Sequence, residues 1–267
     1  MVGRSRRFME AGYTQPKYRL LLAGQSVFSL AVGSFQAVAQ HEDLLIVCLA
    51  EDKVADFARA ELARIGIHRG RVVELPKMTA GQADTVSQGL TAAAVSDDEP
   101  VLIFNIDTFR PGFRYPTSFD VTAVDGYLEC FVGSGANWSN AVPDAPGSSR
   151  VIRTSEKLQE SEFCCTGLYY FSSVRVFNYA YRTECEAHRH GDGQANELYV
   201  APIYNHLIQQ GAVIRFEVVS LSQVLFCGVP AEFEALRDQP PMPLVSHASQ
   251  LASGPSPGRV RSASPCE

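Results

Sequence analysis

The sequence has no long apolar run, no evident cysteine pairing and no excess of basic residues. No stretch approaches the roughly 18 uninterrupted apolar residues of a transmembrane helix, so we expect no membrane span. The first seven residues include three arginines and no apolar stretch follows them, so we expect no secretory signal. With 23 basic and 29 acidic residues, the net charge of −6 argues against a nucleic-acid-binding face.

The seven cysteines are scattered along the chain, and their number is odd. Several lie inside apolar runs, as Cys48 does within residues 44–49. This usage is typical of buried, reduced thiols, so we expect a cytoplasmic protein. A zinc site built from Cys185, His188 and His190, with the cysteines at 164–165, is an alternative. It lacks a second tight pair of ligands, and we favour a polar helix end.

Several nucleotide and nucleophile motifs are also absent. The chain contains neither the P-loop pattern G-x-x-x-x-G-K-[S/T] nor a G-x-S-x-G elbow, and residues 133–135 (Gly-Ser-Gly) are too short for a dinucleotide loop.

What is present is enough apolar sequence for a sizeable core. Apolar residues make up 46% of the chain and charged residues 19%. The composition changes near Gln239, since residues 239–267 hold six of the 15 prolines, with six serines and two glycines. Such a segment buries too little apolar surface to offset its ordering entropy. We therefore predict a folded domain over residues 1–238 and a disordered tail over residues 239–267.

Apolar runs alternate with helical periodicity in the first half of the chain. Strands are predicted at residues 44–50, 72–75 and 101–107, and helices at 52–65 and 82–95. This alternation of strands and helices indicates an α/β fold with a parallel sheet that is covered by helices. Ligands bind at the carboxyl ends of such strands, where Asn105 and Asp107 lie.

The second half is less regular, and some of its strands are expected to be antiparallel. Strands are predicted at residues 127–132, 150–154, 167–171 and 213–219, and helices at 174–188 and 197–210.

Three segments carry residues suited to nucleotide chemistry. In the N-terminal segment, small residues allow backbone N–H groups to approach phosphate oxygens, while Arg7 and Lys17 could neutralise a polyphosphate. Gly81 allows a ligand to approach closely, and the Gln82 amide can pair with a base edge. The Asp107 carboxylate can hold Mg²⁺ together with substrate phosphates. Taken singly, each segment also has an ordinary structural interpretation.

Together, and in this order, the segments resemble the sugar-nucleotide pyrophosphorylases, a nucleotidyltransferase family of the glycosyltransferase-A fold. The opening signature matches a glycine-rich loop ending Arg-Phe, followed by Ala-Gly-Tyr and Pro-Lys. Further matches follow in register at residues 81–83, 105–107, 125–126, 138–139, 156–157, 166–171, 197–202 and 228–232. The resemblance implies a Rossmann-like, mostly parallel mixed sheet with helices on both faces. It is closest to the branch found in capsule and surface-polysaccharide gene sets.

The resemblance also implies a reaction. NMP would pass from an NTP to a phosphorylated small-molecule acceptor, such as a sugar 1-phosphate, with release of pyrophosphate and with Mg²⁺ as the cofactor. Residues up to about 120 would bind the nucleotide and residues 120–238 the acceptor. The implied roles are phosphate charge stabilisation by Arg7 and Lys17, backbone contacts to phosphate from Gly3 and Ser5, base recognition by Gly81 and Gln82, metal binding by Asp107, and acceptor binding by Lys157, Glu197 and Tyr199.

The chain departs from the family pattern in two places. In the family, an apolar strand of about six residues precedes the glycine-rich loop, and this chain has no such strand before its loop. The predicted strands at 44–50 and 101–107 would then lack the strand that lies between them in the family. Either the true start lies upstream, which we favour, or the chain is a damaged relative. In addition, Cys227 stands where many relatives carry a second metal-binding aspartate, and Glu217 and Asp192 are the candidates to replace it.

Two other functions stay open on this sequence. A glycosyltransferase of the same fold would use a finished nucleotide sugar, but its metal site is usually Asp-x-Asp, whereas residues 105–107 read Asn-Ile-Asp. A non-catalytic nucleotide-binding relative is suggested by the missing strand and Cys227. The base, the acceptor and the oligomeric state are not determined by the sequence.

Overall fold

The computed structural model describes residues 1–2, 5–189 and 197–238. The predictions made for Gly3, His190, Asp192 and the tail at 239–267 lie outside these residues. The helices are α1 (Arg6–Glu10), α2 (Val27–Gly33), α3 (Ala55–Arg64), α4 (Gln82–Ala92), α5 (Val174–Arg189), α6 (Val200–Gln209) and α7 (Pro230–Arg237). The strands are β1 (Leu21–Leu22), β2 (Gln25–Ser26), β3 (Leu44–Leu49), β4 (Gly70–Leu75), β5 (Val101–Phe104), β6 (Thr108–Phe109), β7 (Gly126–Val132), β8 (Ser139–Pro143), β9 (Val151–Glu156), β10 (Phe163–Phe171), β11 (Ile214–Val218) and β12 (Leu225–Phe226).

The strands form two main layers that do not pair with each other in the described part of the chain. Parallel β3 and β4 are joined by α3, because a parallel connection needs a crossover. The larger sheet has the order β11-β7-β10-β8-β9, with β5 also paired to β10. In it β11 runs parallel to β7 and the other pairs are antiparallel. The expected mixed α/β class is confirmed.

The core follows the apolar patterns that the sequence predicts. Helix α3 buries Ala55, Ala58 and Leu62, which lie three and four residues apart and therefore share one face, against β3. Helices α5 and α6 pack on the larger sheet, where Phe171 stacks on Tyr204. No helix in the described residues is long and apolar enough to cross a membrane.

Most predicted elements occur within a few residues of their expected bounds, but the third strand differs. Residues 101–107 were expected to form one strand, whereas β5 ends at Phe104 and the chain turns before β6. The short β6 pairs with β12, and the Cys227 N–H donates to the Asp107 carbonyl (2.7 Å). Pairing with this distant segment ends β5 early. Helix α2 and strand β8 were not predicted.

A buried ion pair holds the segment after β6 against the larger sheet. The Arg110 guanidinium contacts the Glu129 carboxylate (2.9 Å), and their side chains are 8% and 4% exposed. The Thr166 hydroxyl donates to the second Glu129 oxygen (3.1 Å), and the Arg110 N–H donates to the Ser34 hydroxyl (2.8 Å). Burial raises the pKa of Glu129, and Arg110 opposes that rise. The pair therefore fixes the position of the chain three residues beyond Asp107.

Replacing Arg110 with methionine should destabilise the protein by about 3–5 kcal/mol, because Glu129 then stays buried without its partner. The double variant Arg110→Met, Glu129→Met should recover most of that loss. Urea unfolding measures both. The single variant should gain stability as the pH falls from about 7 to 5, since a raised carboxyl pKa favours the neutral form, which costs less to bury. Equal stability of the single variant and the parent chain would contradict a structural role for the pair.

Candidate active site

A cavity of about 1550 Å³ runs along residues 44–47 of β3 and along β5, and it reaches Asp107 beyond the carboxyl end of β5. Its lining contains six of the residues predicted for the site: Lys17, Gly81, Gln82, Asp107, Glu197 and Tyr199. These residues come from four separate stretches of sequence. The position agrees with the rule that open α/β sheets bind ligands beyond the carboxyl ends of their strands.

Lys17 and Asp107 form an ion pair at the centre of this site. The ammonium Nζ lies 2.5 Å from Asp107 Oδ2, and the two side chains are 18% and 26% exposed. Pro16, with φ of −57°, precedes the lysine, and the Lys17 N–H donates to the Ser5 hydroxyl (3.2 Å). Ser5, predicted to contact phosphate, thus holds the loop that presents Lys17. Its own φ of 49° is in the left-handed region.

Asp107 has the Lys17 ammonium as its partner, and the nearby Glu232 carboxylate accepts from the Gly228 and Val229 N–H groups (2.7 and 3.2 Å). Cys227 is fully buried next to Asp107, and burial raises the pKa of its thiol to about 12, so it stays protonated. Glu217 accepts a hydrogen bond from Ser118 and does not line the cavity. The described residues contain no cluster of three potential metal ligands, for zinc or any other cation. One carboxylate still fits Mg²⁺, which usually keeps several waters and binds substrate phosphates.

The turn before α4 is held against β5 and β10 by side-chain amides. The Gln82 amide donates to Asn105 Oδ1. A Cβ atom at Gly167 would overlap the Asn105 side chain, so glycine there makes room for this contact. Asn105 was placed at the strand end by the sequence but was not assigned a role. Its contact with Gln82 orients the side chain predicted to recognise the base.

Gly81 lies directly against the backbone of the segment that carries Glu197 and Tyr199. A Cβ atom on Gly81 would lie 2.5 Å from the Leu198 nitrogen and 2.6 Å from its oxygen. Two backbone hydrogen bonds form at this contact, from Leu198 N to Ala80 O (3.0 Å) and from Ala83 N to Leu198 O (2.9 Å). The segment that carries Glu197 and Tyr199 is therefore fixed to the turn that carries Gln82.

Buried Asp84 holds the turn before α4 through hydrogen bonds of its carboxylate. Its carboxylate accepts from the Ala80 N–H and from the Tyr181 hydroxyl, both at 2.7 Å. Burial by itself would raise the pKa of Asp84, but these hydrogen bonds and one from Gln88 hold it below its usual value. No sequence pattern singled out Asp84, because its only sequence signal is a single acidic residue in the first turn of a helix.

The three predicted acceptor residues are in contact with one another. Lys157 Nζ donates to the Tyr199 hydroxyl and lies 4.4 Å from the centre of its ring. The same hydroxyl donates to Glu197 (2.7 Å). The hydrogen bond to Tyr199 raises the pKa of Lys157. Lys157, with φ of 54°, is in the left-handed region.

Arg7 is not part of this arrangement. It lies on α1 with an exposed side chain and does not line the cavity. Its predicted contact with phosphate stays a prediction.

No protein-family model and no curated protein matches the chain. Among solved structures, the nucleoside-diphosphate-sugar pyrophosphorylase from Vibrio cholerae RC9 has 41% sequence identity and a TM-score of 0.83, over 89% of this chain and 97% of that one. The chain belongs to the nucleoside-diphosphate-sugar pyrophosphorylase family. It is a nucleotidyltransferase, as the sequence predicted.

Two more distant structures share the fold of this enzyme. The inositol-1-phosphate CTP transferase from T. maritima has 13% identity and a TM-score of 0.65, over 88% of this chain and 91% of that one. A putative glucose-1-phosphate thymidylyltransferase from Bacillus anthracis has 17% identity and a TM-score of 0.65, over 91% and 95%.

Replacing Gly81 with alanine should separate the two sides of the cavity, because the new methyl group would overlap the Leu198 backbone. We expect a stability loss of about 1–3 kcal/mol, as for other overpacked sites, together with a loss of nucleotide binding. Urea unfolding and calorimetric titration with NTPs measure the two effects. Gly66→Ala is the matched control, since Gly66 also has positive φ (73°) but no atom within 4 Å of the added Cβ. Equal effects of the two changes would mean that only backbone strain is involved.

Proposed function

We propose that the enzyme transfers NMP from an NTP to a sugar 1-phosphate or a similar small phosphorylated molecule and releases pyrophosphate. The observation that carries the proposal is the Lys17–Asp107 pair, which lies in one cavity with the Gly81–Gln82 turn and the Glu197–Tyr199 segment. The solved relatives support the substrate class, since their names specify a nucleoside-diphosphate-sugar pyrophosphorylase, an inositol-1-phosphate CTP transferase and a putative glucose-1-phosphate thymidylyltransferase.

The chemistry is an in-line displacement at the α-phosphorus. A phosphate oxygen of the acceptor forms the new P–O bond, and the bond from the α-phosphorus to the bridging oxygen breaks. The bonding pair leaves with pyrophosphate. Little covalent work falls to the protein, so its residues act by positioning and by neutralising charge. Lys17 provides the compact positive charge, and Arg7 is proposed as a second one.

Mg²⁺ is the proposed cofactor, and Asp107 would hold it. When bound, the cation would neutralise phosphate charge and polarise the phosphoryl oxygens. In its absence Lys17 balances the charge of Asp107, so the same ammonium has two anionic partners available: the carboxylate and the phosphates of the substrate.

The remaining residues are assigned to binding. Gly81 and Gln82 would contact the base, with Gln82 oriented by Asn105. Gly3 and Ser5 would offer backbone N–H groups to phosphate. On the acceptor side, Lys157 would pair with the acceptor phosphate, while Glu197 and Tyr199 would accept hydrogen bonds from hydroxyl groups. We further propose that the reaction takes place in the cytoplasm and supplies precursors for capsule or other surface polysaccharide.

The test is direct. The protein is incubated with each NTP, Mg²⁺ and a panel of sugar 1-phosphates, and pyrophosphate is measured. Release that requires both an NTP and an acceptor supports the proposal. Transfer from a finished nucleotide sugar would indicate a glycosyltransferase instead, and nucleotide binding without either reaction would indicate a non-catalytic relative.

Asp107→Asn should nearly abolish Mg²⁺-dependent pyrophosphate release while leaving the fold intact. The amide keeps the shape of the side chain but removes the charge that would hold the cation. Thermal unfolding checks the fold, and Glu217→Gln, a charge removal outside the cavity, is the matched control. Full activity of Asp107→Asn would remove this residue from the mechanism.

Lys17→Ala should lower kcat by roughly 10²–10³, as the loss of one well-placed electrostatic contact does, while the affinity for NTP changes much less. The reason is that charge on the phosphates grows during attack, so the ammonium stabilises the transition state more than the ground state. Lys17→Arg should rescue poorly, because a planar fork does not replace a compact point charge. Steady-state kinetics gives kcat and KM for each variant, and Arg59→Ala serves as the surface control. A raised KM at unchanged kcat would show that Lys17 only binds substrate.

A further inference from the structure

Lys157 and Tyr199, which are proposed to bind the acceptor, lie at the ends of two different elements. Lys157 directly follows β9, and Tyr199 directly precedes α6. Their side chains meet near the protein surface, where Lys157 Nζ donates to the Tyr199 hydroxyl and lies 4.4 Å from the centre of the ring. Contacts between exposed, flexible side chains hold two elements together only weakly. The relative position of β9 and α6 must therefore be fixed by other groups.

A single side chain of α6, that of Asn205, pairs with both backbone groups of Thr154 in β9. The Thr154 N–H donates to Asn205 Oδ1 (2.8 Å), and Asn205 Nδ2 donates to the Thr154 carbonyl (2.9 Å). In the described part of the chain the ladder of β9 is formed with β8 alone, so these two backbone groups belong to the outer edge of the strand. The amide of Asn205 thus takes the place of a residue in a neighbouring strand.

Thr154 makes a third hydrogen bond to α6. Its hydroxyl donates to the Ala201 carbonyl in the first turn of the helix (2.7 Å), and the residue is only 1% exposed. Buried polar groups need partners, and those of Thr154 find all three on α6. Thr154 lies three residues before Lys157, and Ala201 lies two residues after Tyr199. The three bonds are therefore made next to the residues that form the acceptor site.

Helix α6 has a separate attachment to the centre of the larger sheet. Tyr204 is fully buried, its hydroxyl donates to the Tyr170 carbonyl of β10 (2.7 Å), and its ring stacks on Phe171. Because Tyr204 anchors the helix to β10, loss of the Asn205 amide would leave α6 on the sheet. Only the edge strand β9 would lose its attachment to the helix.

We propose that Asn205 is a positioning residue of the acceptor site. Its amide holds Thr154, and with it the end of β9 that presents Lys157, against the start of α6, which presents Tyr199. Asn205 acts through Thr154 and does not itself line the cavity. The inference rests on the proposed function, because the acceptor roles of Lys157 and Tyr199 belong to that proposal.

Asn205→Asp is the most selective change, because it keeps the shape of the side chain and exchanges the donor Nδ2 for an oxygen. A carboxylate oxygen would then face the Thr154 carbonyl oxygen, and the two acceptors repel each other. The protonated acid, in contrast, has one O–H donor and one C=O acceptor, which is the pattern of the amide. The variant should therefore be defective when its carboxyl group is ionised and should recover when that group is protonated.

Steady-state kinetics is measured for the parent chain, for Asn205→Asp and for Gln209→Ala, a control at an exposed position of the same helix. Near neutral pH, Asn205→Asp should lower kcat/KM for the acceptor about 3- to 30-fold, the range for residues that act without contacting a ligand, and should leave KM for the NTP unchanged. Lowering the pH to about 5.5 should bring its kcat/KM closer to that of the parent chain. All three chains are assayed at each pH, because His206 and Glu184 also lie beside this part of α6. Gln209→Ala should match the parent chain throughout.

Equal losses for the acceptor and the NTP would indicate general damage to the fold and would overturn the proposal. Parent-like kinetics of Asn205→Asp, or a loss that is the same at both pH values, would overturn it as well.

Hydrogen exchange separates this inference from the proposed function. If the parent chain releases no pyrophosphate with any pair of NTP and acceptor, the proposed function fails, and exchange at residues 153–157 then decides the role of Asn205. Faster exchange there in Asn205→Asp, with unchanged exchange in β10, would show that the amide holds the strand end. Unchanged exchange at residues 153–157 would show that it does not.

Discussion

The contact between Lys17 and Asp107 connects parts of the chain that are 90 residues apart, and it lies at the centre of the proposed active site. Asp107 lies where it does because β5 ends early and Cys227 pairs with the Asp107 backbone. A Cβ atom at Gly228 would lie 3.3 Å from the Asp107 carboxylate, so glycine keeps that side open. Lys17 reaches the same point from a loop held by Pro16 and Ser5.

A second constraint is the close approach of two backbones at Gly81 and Leu198. It fixes the turn that carries Gln82 to the segment that carries Glu197 and Tyr199, so the proposed base-binding and acceptor-binding residues belong to one connected part of the molecule. Reactions of this type gain most of their rate from positioning, and a rigid connection between the two binding surfaces is what positioning requires. Asp84, beneath the turn, adds three hydrogen bonds to the same connection.

The sequence by itself determined the local elements and the family. Continuous apolar runs predicted β3 and β4, helical periodicity predicted α3 and α4, and motif order pointed to a nucleotidyltransferase, because these signals depend on neighbouring residues and on spacing along the chain. Only the tertiary structure decided which of the predicted residues meet. The early end of β5, the ion pair between Arg110 and Glu129, the role of Asn105 and the exposed position of Arg7 depend on contacts between segments far apart in sequence. Such contacts produce no periodic pattern in the sequence, because each joins a single side chain to a partner that is distant along the chain.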